Sequence, residues 1–217
     1  MIAAVIADIV GSRGIADRAA AQAALEEALA RAEEMLPPTV TRIHPLRAVV
    51  GDELQGTFAD LRSALAATLL QRLLLPSGID LRFGIGLGEI EQVPSAVGEL
   101  SEGPAWWAAR AAVEHAEELA RRDVPSARTW VRASTDEPRT ADLVRIANAG
   151  LLARDRVIGQ WNDRARRLVA GRIGGATQRE LAEAEGVSQS AVSQSLSSAG
   201  AAAIVAAYEE LVAAGAA

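Results

Sequence analysis

The chain has 217 residues, 50% hydrophobic and 23% charged, with a formal net charge of −6, enough for one ordinary domain plus a small one or for a single large one. Aromatic residues make up only 3%, which argues against recognition by rows of stacked rings, and the absence of cysteine excludes disulfides, thiolate metal sites and thiol nucleophiles and fits a reducing compartment. The run Met1 to Asp8 has no basic stretch before its apolar residues and soon meets an acid, so it reads as neither signal peptide nor membrane span, and a cytoplasmic protein is expected.

All 22 basic residues are Arg, and they are unevenly spread. Up to Thr135 there are 13 Arg against 18 acids, and beyond it 9 Arg against 10 acids. Between Arg154 and Arg179 seven Arg face only Asp155 and Asp163, a local charge of +5. Two functional parts are expected: a sensor domain over 1–135 and a DNA-binding domain over 151–217, joined by a linker at 136–150.

In chain order, the apolar run at 2–10 predicts a buried strand ending at Asp8, Gly11 and Ser12. Residues 17–36, rich in Ala, Leu, Glu and Arg and closed by Pro37-Pro38, predict a helix. The stretches 40–50 and 53–58 flank Gly51-Asp52 and predict a β-hairpin with Asp52 at its tip. A helix over 61–75 follows, stopped by Pro76 and Gly78. Residues 79–93 alternate, with Leu81, Phe83, Ile85 and Leu87 on one face and Arg82, Gly84, Gly86 and Gly88 on the other. The glycine face invites close approach to the backbone. Gly103-Pro104 opens a helix reaching about Arg122, and a late strand fits 128–133. This order describes an α+β sandwich, one sheet with helices on one face, and suggests a ferredoxin-like palm.

Asp8 at a strand end and Asp52 at a neighbouring hairpin tip would bring two carboxylates together. Such a pair repels itself and calls for a hard cation, Mg²⁺ or Mn²⁺. The plain structural alternative makes both acids turn residues. The series Ala7-Asp8-Ile9-Val10-Gly11-Ser12, Gly51-Asp52-Glu53-Leu54-Gln55-Gly56-Thr57-Phe58, Leu81 to Ile90, and Gly103 to Arg110 resembles, in order and spacing, the motifs of class III nucleotidyl cyclases and related palm domains. By these residues the chain looks like a member of the SatD family.

The resemblance implies that Asp8, the Ile9 carbonyl and Asp52 hold metal, and that Val10, Gly11, Ser12 and Arg13 face phosphates. Gly51, Glu53, Gln55, Arg82, Trp107 and Arg110 complete the expected ligand-binding set. Departures from the cyclase pattern are Ala48, where cyclases carry a base-reading Lys, and Trp107 and Ala111, where they carry Asn and Arg. Arg110 is displaced from that Arg position by one residue, roughly 100° around a helix. Because phosphoryl transfer depends on positioned charge, these changes imply binding without efficient turnover. The alternative is an active cyclase or related nucleotide-metabolising enzyme, and a third class is an adaptor without ligand. Trp106 and Trp107, adjacent on a helix, point about 100° apart and so cannot do the same job; both as core anchors is the commoner fate, with one stacked on a purine as the alternative.

The second pattern runs from Thr177 to Gly200. Thr177 with Glu180 forms a capping box, Leu181 and Ala182 face inward, Gly186 supplies a left-handed turn, Ser188 caps a second helix, and Val192 and Leu196 face the first. This segment resembles bacterial repressor and sigma-type helix-turn-helix domains, with a helical hairpin for protein contact as the alternative. Gln189, Ser190, Ser193 and Gln194 are left to reach base edges, with Ser188 at the helix start. An Arg-rich helix over 151–170 with Arg166 and Arg167, together with Arg179, would neutralise the backbone of double-stranded DNA. The stripe of Ile204, Val205, Tyr208, Leu211 and Val212 reads as core, although a symmetric homodimer would suit DNA half-sites. The sequence therefore points to a regulator that binds DNA and responds to a nucleotide or nucleotide-derived molecule with Mg²⁺ or Mn²⁺.

Overall fold

The computed structural model describes residues 1–95 and 98–213, with the side chains of residues 13, 50, 92–95 and 98–101 outside that description. It is a mixed α+β structure with a five-stranded sheet and, among the described residues, eight α-helices. In order these are β1 (Ile2–Ile9), α1 (Arg18–Met35), β2 (Arg42–Val50), β3 (Glu53–Phe58), α2 (Leu61–Leu74), β4 (Leu81–Gly88), the β5 (Glu91–Ser95) and β6 (Gly98–Glu102) ribbon, α3 (Pro104–Arg122) and β7 (Thr129–Ala133). Five further helices close the chain: α4 (Pro138–Ile158), α5 (Asp163–Ile173), α6 (Gln178–Glu185), α7 (Gln189–Ser198) and α8 (Ala201–Val212).

The sheet order is β2-β3-β1-β4-β7. β1 lies antiparallel between β3 and β4, β2 pairs antiparallel with β3, and β7 runs parallel to β4. Helix starts follow side-chain chemistry: Asp17, Asp60, Asn162, Thr177 and Ser188 each accept a hydrogen bond from a backbone N–H of the first turn.

Helices cover both faces of the sheet, which corrects the one-faced sandwich expected from the sequence. Ala3, Val5 and Ala7 of β1 pack with Leu25 and Leu29 of α1, Leu61 and Ala64 of α2, and Leu151 of α4. On the opposite face Ala4 and Ile6 pack under Ala105, Ala109 and Val113 of α3. The physical reason was present in β1, whose apolar residues do not alternate with polar ones, so that both faces need cover.

The glycine face of β4 is filled by α3. A Cβ at Gly86 would lie 2.0 Å from the Ala105 carbonyl oxygen and 2.3 Å from the Ala109 nitrogen. At Gly84 it would lie 2.2 Å from the Ala109 oxygen and 2.3 Å from the Val113 nitrogen. Glycine is therefore required by close helix approach and not by an unusual φ.

The region expected to be a linker, 136–150, is helical from Pro138 onward and forms the first part of α4. The single Arg-rich helix expected over 151–170 is instead the end of α4 and the start of α5, interrupted at 159–162. Gly159 ends α4, and Asn162 caps α5 through its side chain. Helices α5 to α8 share one apolar cluster with α1 and α2: Leu168, Val192, Ile204 and Tyr208 join Ala32, Leu69, Leu70 and Leu73.

The fastening between α4 and the sheet is ionic. Asp155 is fully buried; its Oδ1 accepts from Arg72 Nη1 of α2 at 2.8 Å and from Arg154 Nη2 at 3.0 Å. Its Oδ2 accepts from the backbone N–H groups of Arg128 and Thr129 at 2.8 and 2.7 Å. Two turns earlier Asn148 accepts from the Val131 N–H at 2.8 Å and donates to the Val131 carbonyl at 3.0 Å, closing the outer edge of β7.

Removing one member of a buried ion pair leaves the other charge uncompensated, so Asp155→Ala is expected to destabilise the fold by about 3–5 kcal/mol. Urea denaturation of the variant against the native chain checks this.

Candidate functional site

At the ends of three central strands the pairing register places Glu53, Asp8 and Arg82 on one rung, Asp8 directly opposite Glu53 on one side and Arg82 on the other. Directly paired residues share a face of the sheet. Here that is the face under α3, because Asp8 follows Ala4 and Ile6 at the two-residue period of the strand. The glycines of β4 let α3 lie flat; where they end, at Arg82, charged residues of α3 meet the rung.

Arg82 Nη1 donates to both carboxylate oxygens of Asp8 at 3.1 and 3.0 Å, and Glu117 of α3 approaches the same guanidinium at 3.8 Å. Arg110, two turns earlier on α3, donates from Nη1 and Nη2 to the two oxygens of Glu53, each at 2.6 Å. Gln55 donates to Glu53 Oε1 at 2.9 Å.

These contacts set the ionisation of the two acids in opposite directions. Burial raises the Asp8 carboxyl above its ordinary value; Arg82 opposes the rise, and Glu117 and Asp52 add to it. The Arg110 hydrogen bonds hold Glu53 below its ordinary value, against partial burial.

Asp8 and Asp52 open onto one cavity of about 400 Å³ together with Ile9, Gly11, Ser12, Arg82 and Glu117. A neighbouring cavity of about 330 Å³ shares Ile9, Ser12 and Asp52 and adds Gly51, Arg18 and Gln22. Gly11 and Gly51 both have left-handed backbone, at φ 70° and 64°, which turns the chain sharply at the mouth. Val10 donates its backbone N–H to the Asp80 carbonyl at 2.9 Å, and the Arg13 side chain lies outside the described residues.

Glu117, Arg18 and Gln22 were not anticipated from the sequence. Glu117 had a usable signal, since it lies seven residues after Arg110 and so on the same side of α3. Arg18 and Gln22 carried none, because the first turns of α1 are brought to the cleft only by the fold. Among the described residues no three or more His, Asp or Glu side chains are arranged to hold a metal.

The two adjacent tryptophans part company. Trp106 packs beside the Ala4 and Ile6 cluster, whereas Trp107 is 70% exposed on the same side of α3 as Arg110, one turn before it. Arg47 and Ala48 line a different and larger cavity, about 690 Å³, between α1 and β2, with Glu33 and Arg42.

The SatD family profile matches residues 2–208, nearly the whole chain. The chain belongs to the SatD family. No curated protein matches it. Among the described residues of this SatD chain, no helix is long and apolar enough to cross a membrane.

The matched span includes α6 and α7. Thr177 and Glu180 form the reciprocal capping box, Gly186 takes φ 64°, and Leu181, Ala182, Val192 and Leu196 are buried. Ser188, Gln189, Ser190, Ser193 and Gln194 are exposed. Ser188 Oγ accepts from the Ala191 N–H at 3.2 Å and lies 2.9 Å from Ser190 Oγ.

The three arginines expected to meet a nucleic-acid backbone are each paired with an acid. Arg167 grips Glu185 through two hydrogen bonds at 2.7 and 2.8 Å, Arg166 pairs with Asp163, and Arg179 pairs with Glu183 at 3.1 Å. Arg154, from the same basic stretch, is committed to Asp155 and to Thr129 Oγ1.

Because the folded Glu53 carboxyl titrates below its ordinary value of 4.5, the stability it contributes is present above that pH and is lost as pH falls through the lowered value. Arg110→Ala in this SatD chain is expected to cost about 0.5–1 kcal/mol at neutral pH, as for a partly exposed pair. The difference from the native chain should vanish under acid conditions, in chemical denaturation repeated across pH.

Proposed function

We propose that this SatD-family chain is a nucleotide-responsive regulator that binds double-stranded DNA through α7 and senses a nucleotide or nucleotide-derived molecule at the Asp8 cleft. The observation that carries the reading is the pairing of α6 with α7 across the left-handed Gly186: their buried residues fix the pair, and Gln189, Ser190, Ser193 and Gln194 are left as one uninterrupted polar face. This pairing supports a helix-turn-helix reading, in which the first turns of the second helix would meet base edges in the major groove. Gln and Ser side chains suit that work because they both donate and accept.

The order β2-β3-β1-β4, antiparallel throughout with α1 and α2 on one face, supports the ferredoxin-like palm as the sensor. α2 joins the two parts, since it packs beneath β1 through Leu61 and Ala64 and against α5 and α8 through Leu69, Leu70 and Leu73. A change at the cleft therefore has a continuous packed route to the α5–α8 group.

The cleft residues fit a hard divalent cation. Asp8, Asp52 and Glu117 set three negative charges against Arg82, an excess of two. Mg²⁺ is commonly bound by one or two carboxylates and completed by water and substrate phosphates, so Asp8, Asp52 and the Ile9 carbonyl would suffice on the protein side. When bound, the cation would neutralise ligand phosphates. Gly11 and Ser12 would then present backbone to the ligand, Arg110 would face it after release from Glu53, and Trp107 offers a ring for a base.

Binding to duplex DNA, followed by fluorescence anisotropy across salt with and without nucleotide, is expected to weaken as salt rises. Gln189→Ala should cost specific binding about 1–3 kcal/mol and leave non-specific binding nearly intact. Absence of DNA affinity under every condition would make α6 and α7 a protein-contact module. For the cleft, Mg²⁺ or Mn²⁺ is expected to raise the melting temperature of the native chain, following RT ln(1 + [L]/Kd), and not that of Asp52→Asn.

A further inference from the structure

The outward face of α4 is apolar at its centre and charged at both ends. Its inward face is fixed to the protein by Asn148 on β7 and by the Asp155 network, so the outward face is presented in one orientation. That face carries Leu143 and Ile146, 47% and 73% exposed, then Ala149, Gly150 and Ala153, all exposed. Asp142 lies at one end and Arg156 at the other, both exposed. Leu143, Ile146, Gly150 and Ala153 follow the alternating three- and four-residue spacing by which one helix seats against another. The large residues occupy the first half of the stripe and the small ones the second.

Such a polarised stripe is complementary to itself when reversed. We infer that α4 is the interface of a homodimer in which two copies of α4 pack antiparallel about a two-fold axis. In that arrangement Ile146 seats on the partner's Gly150 and Leu143 on the partner's Ala153, and the two-fold repeats both contacts. A Cβ added at Gly150 would meet nothing within 4 Å in the single chain, so the space over it is open to an incoming side chain.

The flanking charges obey the same symmetry. The Ile146 and Leu143 contacts put the two-fold axis level with position 148; Asp142 is then level with position 154 of the facing helix, and Arg156 of the partner subunit lies about 3 Å further along, within reach of its long side chain, and the two-fold repeats the pair. Two ion pairs thus bracket the apolar stripe. Among the described residues of one chain Asp142 pairs with Arg145 alone, at 3.4 Å, a surface pair with both side chains more than two thirds exposed, which is weak enough to be exchanged. A heterologous partner would need no such self-matching of size and charge, whereas an isologous interface requires both. The proposed dimer does not depend on the function read from α7 or from the cleft.

Sedimentation or light scattering of the full chain at micromolar concentration is expected to give twice the chain mass. Ile146→Glu places a charge where the partner's backbone must approach, and should give a monomer with an unchanged far-ultraviolet circular dichroism spectrum. Asp142→Arg and Arg156→Asp should each raise the dimer dissociation constant at least about tenfold, because the symmetry counts each change twice. The double variant should return to within about threefold of the native value. A native chain that is monomeric, a dimer that survives Ile146→Glu, or a double variant no better than the singles would each overturn the proposal.

Discussion

Backbone contact between α3 and β4 governs the candidate site. Three glycines on one face of a central strand remove the side chains that would hold a helix at its usual distance, and the small residues of α3 do the same from above. The helix therefore lies against the strand at a fixed height and angle. The first residue of that strand face with a side chain, Arg82, meets Glu117 where the glycines end. Arg110, two turns back, is delivered to Glu53 on the far side of β1. The alternating charges across the rung follow from close packing that is itself entirely apolar.

The charged rung is also poised. Two cations at the cleft are each held by an acid from a strand, Arg82 by Asp8 and Arg110 by Glu53. In the proposed reading a divalent cation on Asp8 and a phosphate on Arg110 would compete with contacts made inside the protein, so their affinity would be the difference between two similar interactions. Burial raises the Asp8 carboxyl above its ordinary value, which disfavours its ionised form against the pull of Arg82.

The helical C-terminal half is held by a different device. Asp155 satisfies two backbone N–H groups at the start of β7 and one arginine from each of α2 and α4, tying three elements through one carboxylate. Burying that charge is tolerable because Oδ1 accepts three hydrogen bonds and Oδ2 two. With α4 so anchored, α5 and α8 settle on α2, and the expected linker becomes a rigid support for an outward apolar stripe.

Residue order alone determined most of the elements. Proline and glycine punctuation, caps such as Thr177 with Glu180, and apolar spacing are local causes, and the helices at 17–36, 61–75, 103–122 and 177–200, the hairpin at Gly51-Asp52 and the strand near 128–133 all follow from them. The proximity of Asp8 to Asp52 was legible for the same reason, through strand ends and a hairpin tip. Only tertiary structure decided what each charge is for. The local excess of arginine between Arg154 and Arg179 suggested an open basic surface, yet Arg154, Arg166, Arg167 and Arg179 find acids, some distant in sequence and some a turn away. The pairs of Arg166 with Asp163 and of Arg179 with Glu183 follow helical spacing, whereas Arg167 reaches Glu185, 18 residues on, only through the fold, because electrostatic pairing is set by distance and burial in space. The β4 glycines make the same point: composition showed that something must come close, and only the fold revealed that it was the protein's own α3.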